Sequence, residues 1–264
     1  MKCWILYDES DLEGNRFFAD KLNIYAKKSG FDSEIVLTKD VDVYDPADIV
    51  ISRTRDSDLT SELEDNGATV FNRSSVSRIC NDKAYTYSFV KGLGIPILPY
   101  SLPGQEPPPG PPWVVKSRKG HGGSEVFRAN NSKDLDSLLS QLSGRDPLVQ
   151  TFASDAGKDL RVYVLGGKII ASIMRSSDSD FRANFKLGGK AELIEPSDEI
   201  VSMVRKITPE LMADFVGIDF VFDHGRPYLN EIEDVVGTRM LYELTDMDPA
   251  KMYIDYISRC MMRN

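Results

Sequence analysis

Cysteine and histidine are scarce in this 264-residue chain, which carries only Cys3, Cys80 and Cys260 and the two histidines His121 and His224. The cysteines are odd in number, far apart and without a C-x-x-C, which suits neither a disulfide framework nor a zinc site and points to a reducing, cytoplasmic setting. Long apolar runs are missing too. No stretch approaches membrane-spanning length, and Cys3 to Tyr7 is too short for a signal-peptide core before the acidic Asp8 and Glu9. Positive charge is in deficit, with 32 Lys and Arg against 41 Asp and Glu and a net charge of -9. That argues against a nucleic acid or an anionic membrane as partner, although a local basic cleft can hide inside an acidic average. Neither the GxxxxGK[ST] order of a P-loop nor a GxGxxG dinucleotide site occurs. What is present is ordinary globular composition, 41% hydrophobic and 28% charged, enough for one large domain or two to three small ones.

The first seventy residues alternate short apolar runs with helical patterns. Strands are expected at Trp4 to Tyr7, Glu34 to Leu37, Asp48 to Ile51 and Ala68 to Phe71. Helices are expected at Leu12 to Lys28, closed by Gly30, and at Asp58 to Asn66, stopped by Gly67. This rhythm predicts βαβ units on a parallel sheet, an α/β unit. Another amphipathic helix spans Asn81 to Leu93. Between Leu102 and Trp113 lie six prolines, which can continue neither helix nor ladder and mark a semi-rigid connector. Beyond it the pattern is strand-rich, with a helix bearing Leu135, Leu138, Leu139 and Leu142 and hairpins turning at Gly166-Gly167 and at Asp223 to Gly225. Pro209 is expected to split the helix before Asp219, with Thr208 as an N-cap. A closing helix starts near Met252.

The second hairpin carries the densest chemistry. If it is centred on Gly225, Asp219 lies opposite Glu231, and Glu233 shares a face with Glu231 because strand side chains alternate. Three converging carboxylates repel one another and call for a divalent cation, most simply magnesium with oxygen ligands. A solvated acidic face explains the hairpin alone equally well. Against that, Ile218, Phe220, Phe222 and Leu229 make the other face strongly apolar.

Trp113 to Lys116 ends in a lysine before the glycine-rich Gly120-His121-Gly122-Gly123-Ser124. Glycines let backbone N–H groups approach a polyphosphate while the ammonium supplies charge; a basic hairpin turn would look the same. Further on, Asp159 and Arg161 share a strand face, and Arg161, Arg175 and Arg182 could neutralise a phosphoryl group in transfer, with surface salt bridges as the plain alternative. Arg53 and Arg55 follow a predicted strand, where a carboxylate-bearing substrate could dock; helix-edge salt bridges are an equal reading.

Taken in order, Asp82-Lys83, Asp180-Phe181-Arg182-Ala183-Asn184, Gly188-Gly189 and the twelve-residue spacing from Asp219 to Glu231 resemble an ATP-grasp ligase of the RimK type. The resemblance runs from about residue 82 to residue 237. It implies an α/β (α+β) ATP-grasp fold with an N-terminal parallel domain over 1–80, a central lid over 81–150 and a C-terminal antiparallel subdomain over 151–264. By position, Lys83 and Lys116 resemble the paired lysines on the ATP phosphates and Gly120 to Ser124, His121 included, the flap above them. Gln150, Thr151 and Phe152 resemble the strand that binds adenine, Asp159 a nucleotide-contacting carboxylate, and Arg182, Ala183 and Asn184 a segment beside the γ-phosphate. Asp219, Glu231 and Glu233 match the metal ligands.

Three departures stand out. Glu233 occupies a position that is asparagine in relatives, Thr151 one that is acidic, and Asp234 to Met240 replaces a more proline- and glycine-rich acceptor loop. The resemblance implies ATP and Mg2+, with Mn2+ as a substitute, and an amide bond made through an acyl phosphate. The partners it implies are a small-molecule or peptide carboxylate and an amine or amino acid, with a homodimer by analogy. The competing reading is an ATP-binding regulatory or scaffold protein of the same fold that has lost ligation.

Overall fold

The computed structural model describes residues 1–183 and 189–262. Strands β1 (Lys2–Tyr7), β2 (Asp32–Leu37), β3 (Ile49–Ser52) and β4 (Thr69–Phe71) form a parallel sheet in the order β2-β1-β3-β4. Helices α1 (Glu9–Lys28) and α2 (Ser57–Asp65) cross between them. Acidic Glu9 and Asp11 open α1 and Lys27 and Lys28 close it, which matches the sign of the helix dipole at each end. Alternation along β1 feeds two cores: Trp4 and Leu6 pack with Val50, Leu63 and Val70, while Cys3, Ile5 and Tyr7 turn the other way. A short helix α3 (Ser74–Cys80), not expected from the sequence, precedes α4 (Lys83–Gly92). The carboxylate of Asp82 caps α4, accepting from the backbone N–H of Ala84 at 3.0 Å and of Tyr85 at 3.3 Å.

The second sheet joins β5 (Tyr100–Ser101), β6 (Trp113–Ser117), β7 (Val126–Ala129) and β8 (Pro147–Thr151), all antiparallel, in the order β5-β8-β6-β7. Its small core, Trp113, Val115, Leu135, Leu142 and Val149, is covered by α5 (Ser132–Gln141). No helix or strand lies between Ser101 and Trp113, as the prolines require. That connector is anchored where the Trp113 indole donates to the Pro108 carbonyl at 2.8 Å.

The third sheet is antiparallel, in the order β11-β10-β9-β12-β13, from β9 (Lys158–Leu165), β10 (Lys168–Ser176), β11 (Lys190–Leu193), β12 (Phe215–Asp223) and β13 (Arg226–Glu233). Leu160, Val162, Val164, Val216, Ile218 and Phe220 face α6 (Asp198–Leu211) together with α3 and α4. The opposite face is divided. Tyr163, Leu165, Ile173 and Phe215 join the core of the N-terminal sheet, together with α1, α7 (Arg239–Leu244) and α8 (Pro249–Met261); the remainder carries charge.

Helix α6 corrects one expectation. It runs unbroken from its cap at Ser197, with Pro209 inside it. Proline costs about 3 kcal/mol in a helix interior, but here it stands in the final turn, where Ile200, Met203, Val204, Ile207 and Leu211 are all buried. At about 1.5–3 kcal/mol for each side chain taken from water, that apolar stripe outweighs the lost bond. Among the described residues no helix is long and apolar enough to cross a membrane.

Candidate active site

The charged half of the third sheet is built from residues that alternate with its apolar face: Asp159 and Arg161 on β9, Arg175 on β10, Asp219 on β12, Glu231 and Glu233 on β13. Asp219 pairs in register with Glu231 on one side and Arg161 on the other. The hairpin reaches that register through a bulge. Asp223 pairs with Arg226 and Phe220 with Leu229, and the register shifts between Phe220 and Asp219, leaving Asn230 as the extra residue. Without it every later side chain on β13 would change faces.

Asp219 is buried at 2% exposure, so the solvated acidic face is ruled out. Fixed cations stand among these carboxylates and offset part of their repulsion. Arg161 donates to both carboxylate oxygens of Asp219, Nε to Oδ1 at 2.8 Å and Nη2 to Oδ2 at 2.7 Å, and its Nη2 lies 2.7 Å from Glu233. Arg175 bridges Asp219 at 2.7 Å and Asp159. Lys83 stands 3.3 Å from Glu231. Burial alone would raise the Asp219 carboxyl, yet the Arg161 and Arg175 guanidiniums outweigh it and hold it at about 2. Burial dominates at Asp159, pushed up to about 6, and raises Glu233. Among the described residues no three His, Cys, Asp or Glu side chains are arranged as a metal site.

Above this face, Lys116 at the end of β6 is buried and directed at Asn230, donating to Oδ1 at 3.1 Å, with its ammonium 5.4 Å from the Tyr87 ring. Burial lowers it to about 8. Lys83, the first residue of α4, donates to the carbonyl of Gly120. The turn 118–124 is closed by Ser117 N–H donating to Glu125 O at 3.1 Å, and Arg182 reaches it through the Gly123 carbonyl at 3.0 Å. Phe152 lies beside Phe181, ring centroids 5.6 Å apart, with the Arg128 guanidinium 4.4 Å above it.

These groups enclose one cavity of about 370 Å³. Lys83, Lys116, Gly120, His121, Gly122, Gly123, Gln150, Thr151, Phe152, Asp159, Arg161, Arg175, Arg182, Ala183, Asp219, Glu231 and Glu233 all line it. Ser124 does not; it lines a separate recess with Ser117, Glu125 and Arg145. Asn184 lies outside the described residues. Nine cationic and seven anionic side chains line the cavity, a positive cleft on a chain of net charge -9. Sequence reasoning missed Asn230, whose signal was its place inside Leu229-Asn230-Glu231, and Asp11 and Asn15, which carry no motif.

As a donor set for magnesium the carboxylates suit a hard cation. Glu231 and Glu233 keep 21% and 27% of their side chains exposed, while both oxygens of Asp219 are engaged by arginine.

A lid-like antiparallel sheet facing a second antiparallel sheet, with lysines on one side of the cleft and carboxylates and arginines on the other, defines the ATP-grasp class. The RimK-like ATP-grasp domain family matches residues 109–257, more than half of the chain. N-acetylaspartylglutamate synthase A of Homo sapiens is 32% identical over 220 residues, 76% of this chain and 56% of that protein. A protein of Mycoplasma genitalium described as uncharacterized is 29% identical over 262 residues, 96% of this chain and 91% of its own. The ATP-grasp ligase PsnB, solved with a variant of its minimal precursor, Mg and ADP, has a TM-score of 0.70 at 15% identity, covering 97% of this chain and 98% of that one. The chain belongs to the RimK-like ATP-grasp family and is an ATP-grasp ligase.

Proposed function

We propose that the protein couples ATP cleavage to an amide bond between a carboxylate, on a small molecule or a peptide, and an amine, an amino acid in the first instance. The observation that carries this reading is the lining of one cavity by Lys83, Lys116, Arg161, Arg175, Glu231 and Glu233 beside the β8 end Gln150 to Phe152.

In this reading the adenine lies along Gln150 to Phe152 and the phosphates meet Lys83 and Lys116. A carboxylate oxygen of the acid attacks the γ-phosphorus; the bond to the β–γ bridging oxygen breaks and ADP leaves, giving an acyl phosphate. The amine nitrogen then attacks the acyl carbon, phosphate departs with its electron pair, and the nitrogen loses a proton to solvent. Arg161 and Arg175 neutralise charge on the group in transfer, and Arg182 ties the flap over it through Gly123. Positioning and charge neutralisation are the chain's share of the work, so no activated serine or cysteine is needed.

Magnesium, with manganese as a substitute, would be held by Glu231 and Glu233 with Asp219, and would supply charge neutralisation between the β- and γ-phosphates. Arg161 and Arg175, which hold Asp219, would share it with that ion, and bound phosphates would offer the two arginines alternative acceptors.

The test is ADP release by the purified protein with pooled carboxylates and amines. Release that depends on both supports the ligase; tight ATP binding with no turnover on any pool would indicate the regulatory reading instead.

A further inference from the structure

Helix α1 buries Phe18, Ala19, Leu22 and Ala26 in the core. A surface helix needs one such apolar stripe, and its outer face is ordinarily polar. On α1 it is not. Phe17 and Ile24 are 61% and 50% exposed. They stand seven residues apart, which sets both on one line of the helix surface about 10 Å from each other. The other exposed large apolar side chains among the described residues stand singly on separate elements, loops or termini, where they are ordinary.

Phe17 is exposed but not loose. Its ring meets the Tyr242 ring edge-on, centroids 5.1 Å apart at 82°, and the Lys21 ammonium lies 5.5 Å from it. Lys21 is fixed in turn, by an ion pair with Asp248 at 2.8 Å and by the rings of Tyr25 and Tyr242 at 5.8 and 5.4 Å. An aromatic side chain already held in one orientation loses little freedom when something covers it, which is the property of an interface anchor. The Asp248 carboxylate also offsets the charge of Lys21, so the middle of this face can be covered without burying an unpaired ammonium.

The charges along the same face say what covers it. Phe17 and Ile24 are symmetric about the point midway between Asp20 and Lys21, and so are Glu13 toward one end and Lys28 toward the other. Both Glu13 and Lys28 are exposed. Lys28 lies 5.6 Å from the Tyr25 ring, and neither it nor Glu13 has an ion-pair partner among the described residues. A second α1 laid antiparallel across the first, with a two-fold axis at that midpoint, sets Phe17 against Ile24 of the second copy and Glu13 against its Lys28. Each pairing then occurs twice, and Asp20 comes level with Lys21. A parallel arrangement would oppose Glu13 to Glu13 and Lys28 to Lys28. A face whose apolar and charged positions both complement their own reversed order fits a copy of itself.

Independently of the ligase reading, we propose that this face of α1 is the contact between two copies of the chain. The dimer is isologous, with its axis between Asp20 and Lys21, its centre closed by Phe17 and Ile24 and its ends held by Glu13 and Lys28.

Sedimentation velocity of the full chain, from about 1 to about 100 μM at low salt, tests this. The expected result is a dimer that dissociates on dilution, and more readily in high salt. F17S/I24S changes two exposed side chains and should sediment as a monomer throughout, with little change in thermal midpoint. Charge exchange tests the register, and does so even if F17S/I24S proves unstable. E13K and K28E, made singly, set like charges against each other at both ends, and each should raise the dissociation constant about ten-fold. E13K/K28E restores opposite signs and should return to within about three-fold of the parent. A net-charge effect would instead move the two single variants in opposite directions, since one brings the chain toward neutrality and the other away from it. A parent that is still monomeric at about 100 μM, a dimer that survives in F17S/I24S, or single exchanges that act in opposite directions or go unrescued in the double variant would each overturn the proposal.

Discussion

Arg161 grips Asp219 through two parallel hydrogen bonds of 2.8 and 2.7 Å, and both side chains are almost wholly buried. Breaking such a pair by removing one partner strands a charge in the interior, which typically costs about 3–5 kcal/mol. R161M should lose stability of that order in urea unfolding. A loss below about 1 kcal/mol would mean that Arg175 alone can satisfy Asp219.

The same pair sets an acid limit. Because the folded carboxyl of Asp219 is held at about 2, below the value near 3.9 of an unfolded aspartate, the folded state binds that proton more weakly. The stabilisation is complete above about pH 4 and is lost as pH falls through about 2. Unfolding free energy of the parent protein should therefore drop across this window. D219N should be less stable above it and show a shallower slope within it; parallel slopes would contradict the assignment.

Lys116 makes the opposite trade. Burial lowers its ammonium to about 8, so the folded state favours the neutral amine. Relative to its value above about pH 10.4, where unfolded lysine is also neutral, stability falls as pH drops toward 8 and stays reduced below. At pH 7 the K116M variant should gain stability, by about 1–3 kcal/mol before the lost bond to Asn230 is counted. Its affinity for ATP should weaken, since the charge that costs stability is the one offered to phosphate. For the same reason ATP binding near pH 8 should take up a proton, measurable as a dependence of the calorimetric enthalpy on the buffer's ionisation heat.

Glu231 faces the cavity, and its ion-pair partner among the described residues is Lys83. E231Q should keep the thermal midpoint within a few degrees while ADP release drops by about a hundred-fold or more, the scale on which one electrostatic contact to a transition state acts. An unchanged turnover number would count decisively against this site.

Gly217 lies on the charged face two residues before Asp219. A Cβ there would stand 2.7 Å from Val236 Cγ2 and 3.4 Å from Arg161 Cδ. G217A should cost about 1–3 kcal/mol as overpacking and displace the loop at Val236, raising KM for the acid or amine more than KM for ATP. Equal effects on both would place the strain elsewhere.

How far the sequence anticipates this molecule depends on whether a feature is local. The parallel sheet, the leucine stripe of α5, the hairpin at Gly166-Gly167 and the proline connector were legible because each is written in a few consecutive residues. Helix α3 was not: seven residues with three serines give too little periodicity, and its burial comes from neighbours remote in sequence. Edge strand β11 is mostly exposed and shows no alternation to read. The pairing of Asp219 with Glu231 was anticipated through a turn centred on Gly225, whereas the strands achieve it with a two-residue turn and a bulge at Asn230. The guanidinium lattice around Asp219 escaped entirely, because Arg161 and Arg175 come from separate strands and meet it only once the sheet is assembled.

The core shared between the N-terminal sheet and the third sheet bears on how the chain can be dissected. Tyr163, Phe215 and Ile173 are sealed by α1 and α8, which stand at opposite ends of the polypeptide and are latched where Lys21 and Tyr25 meet Asp248 at 2.8 and 2.6 Å. A truncation starting near residue 81 would leave that greasy floor bare and ought to precipitate, so the catalytic half is best handled with its front portion attached or supplied in trans.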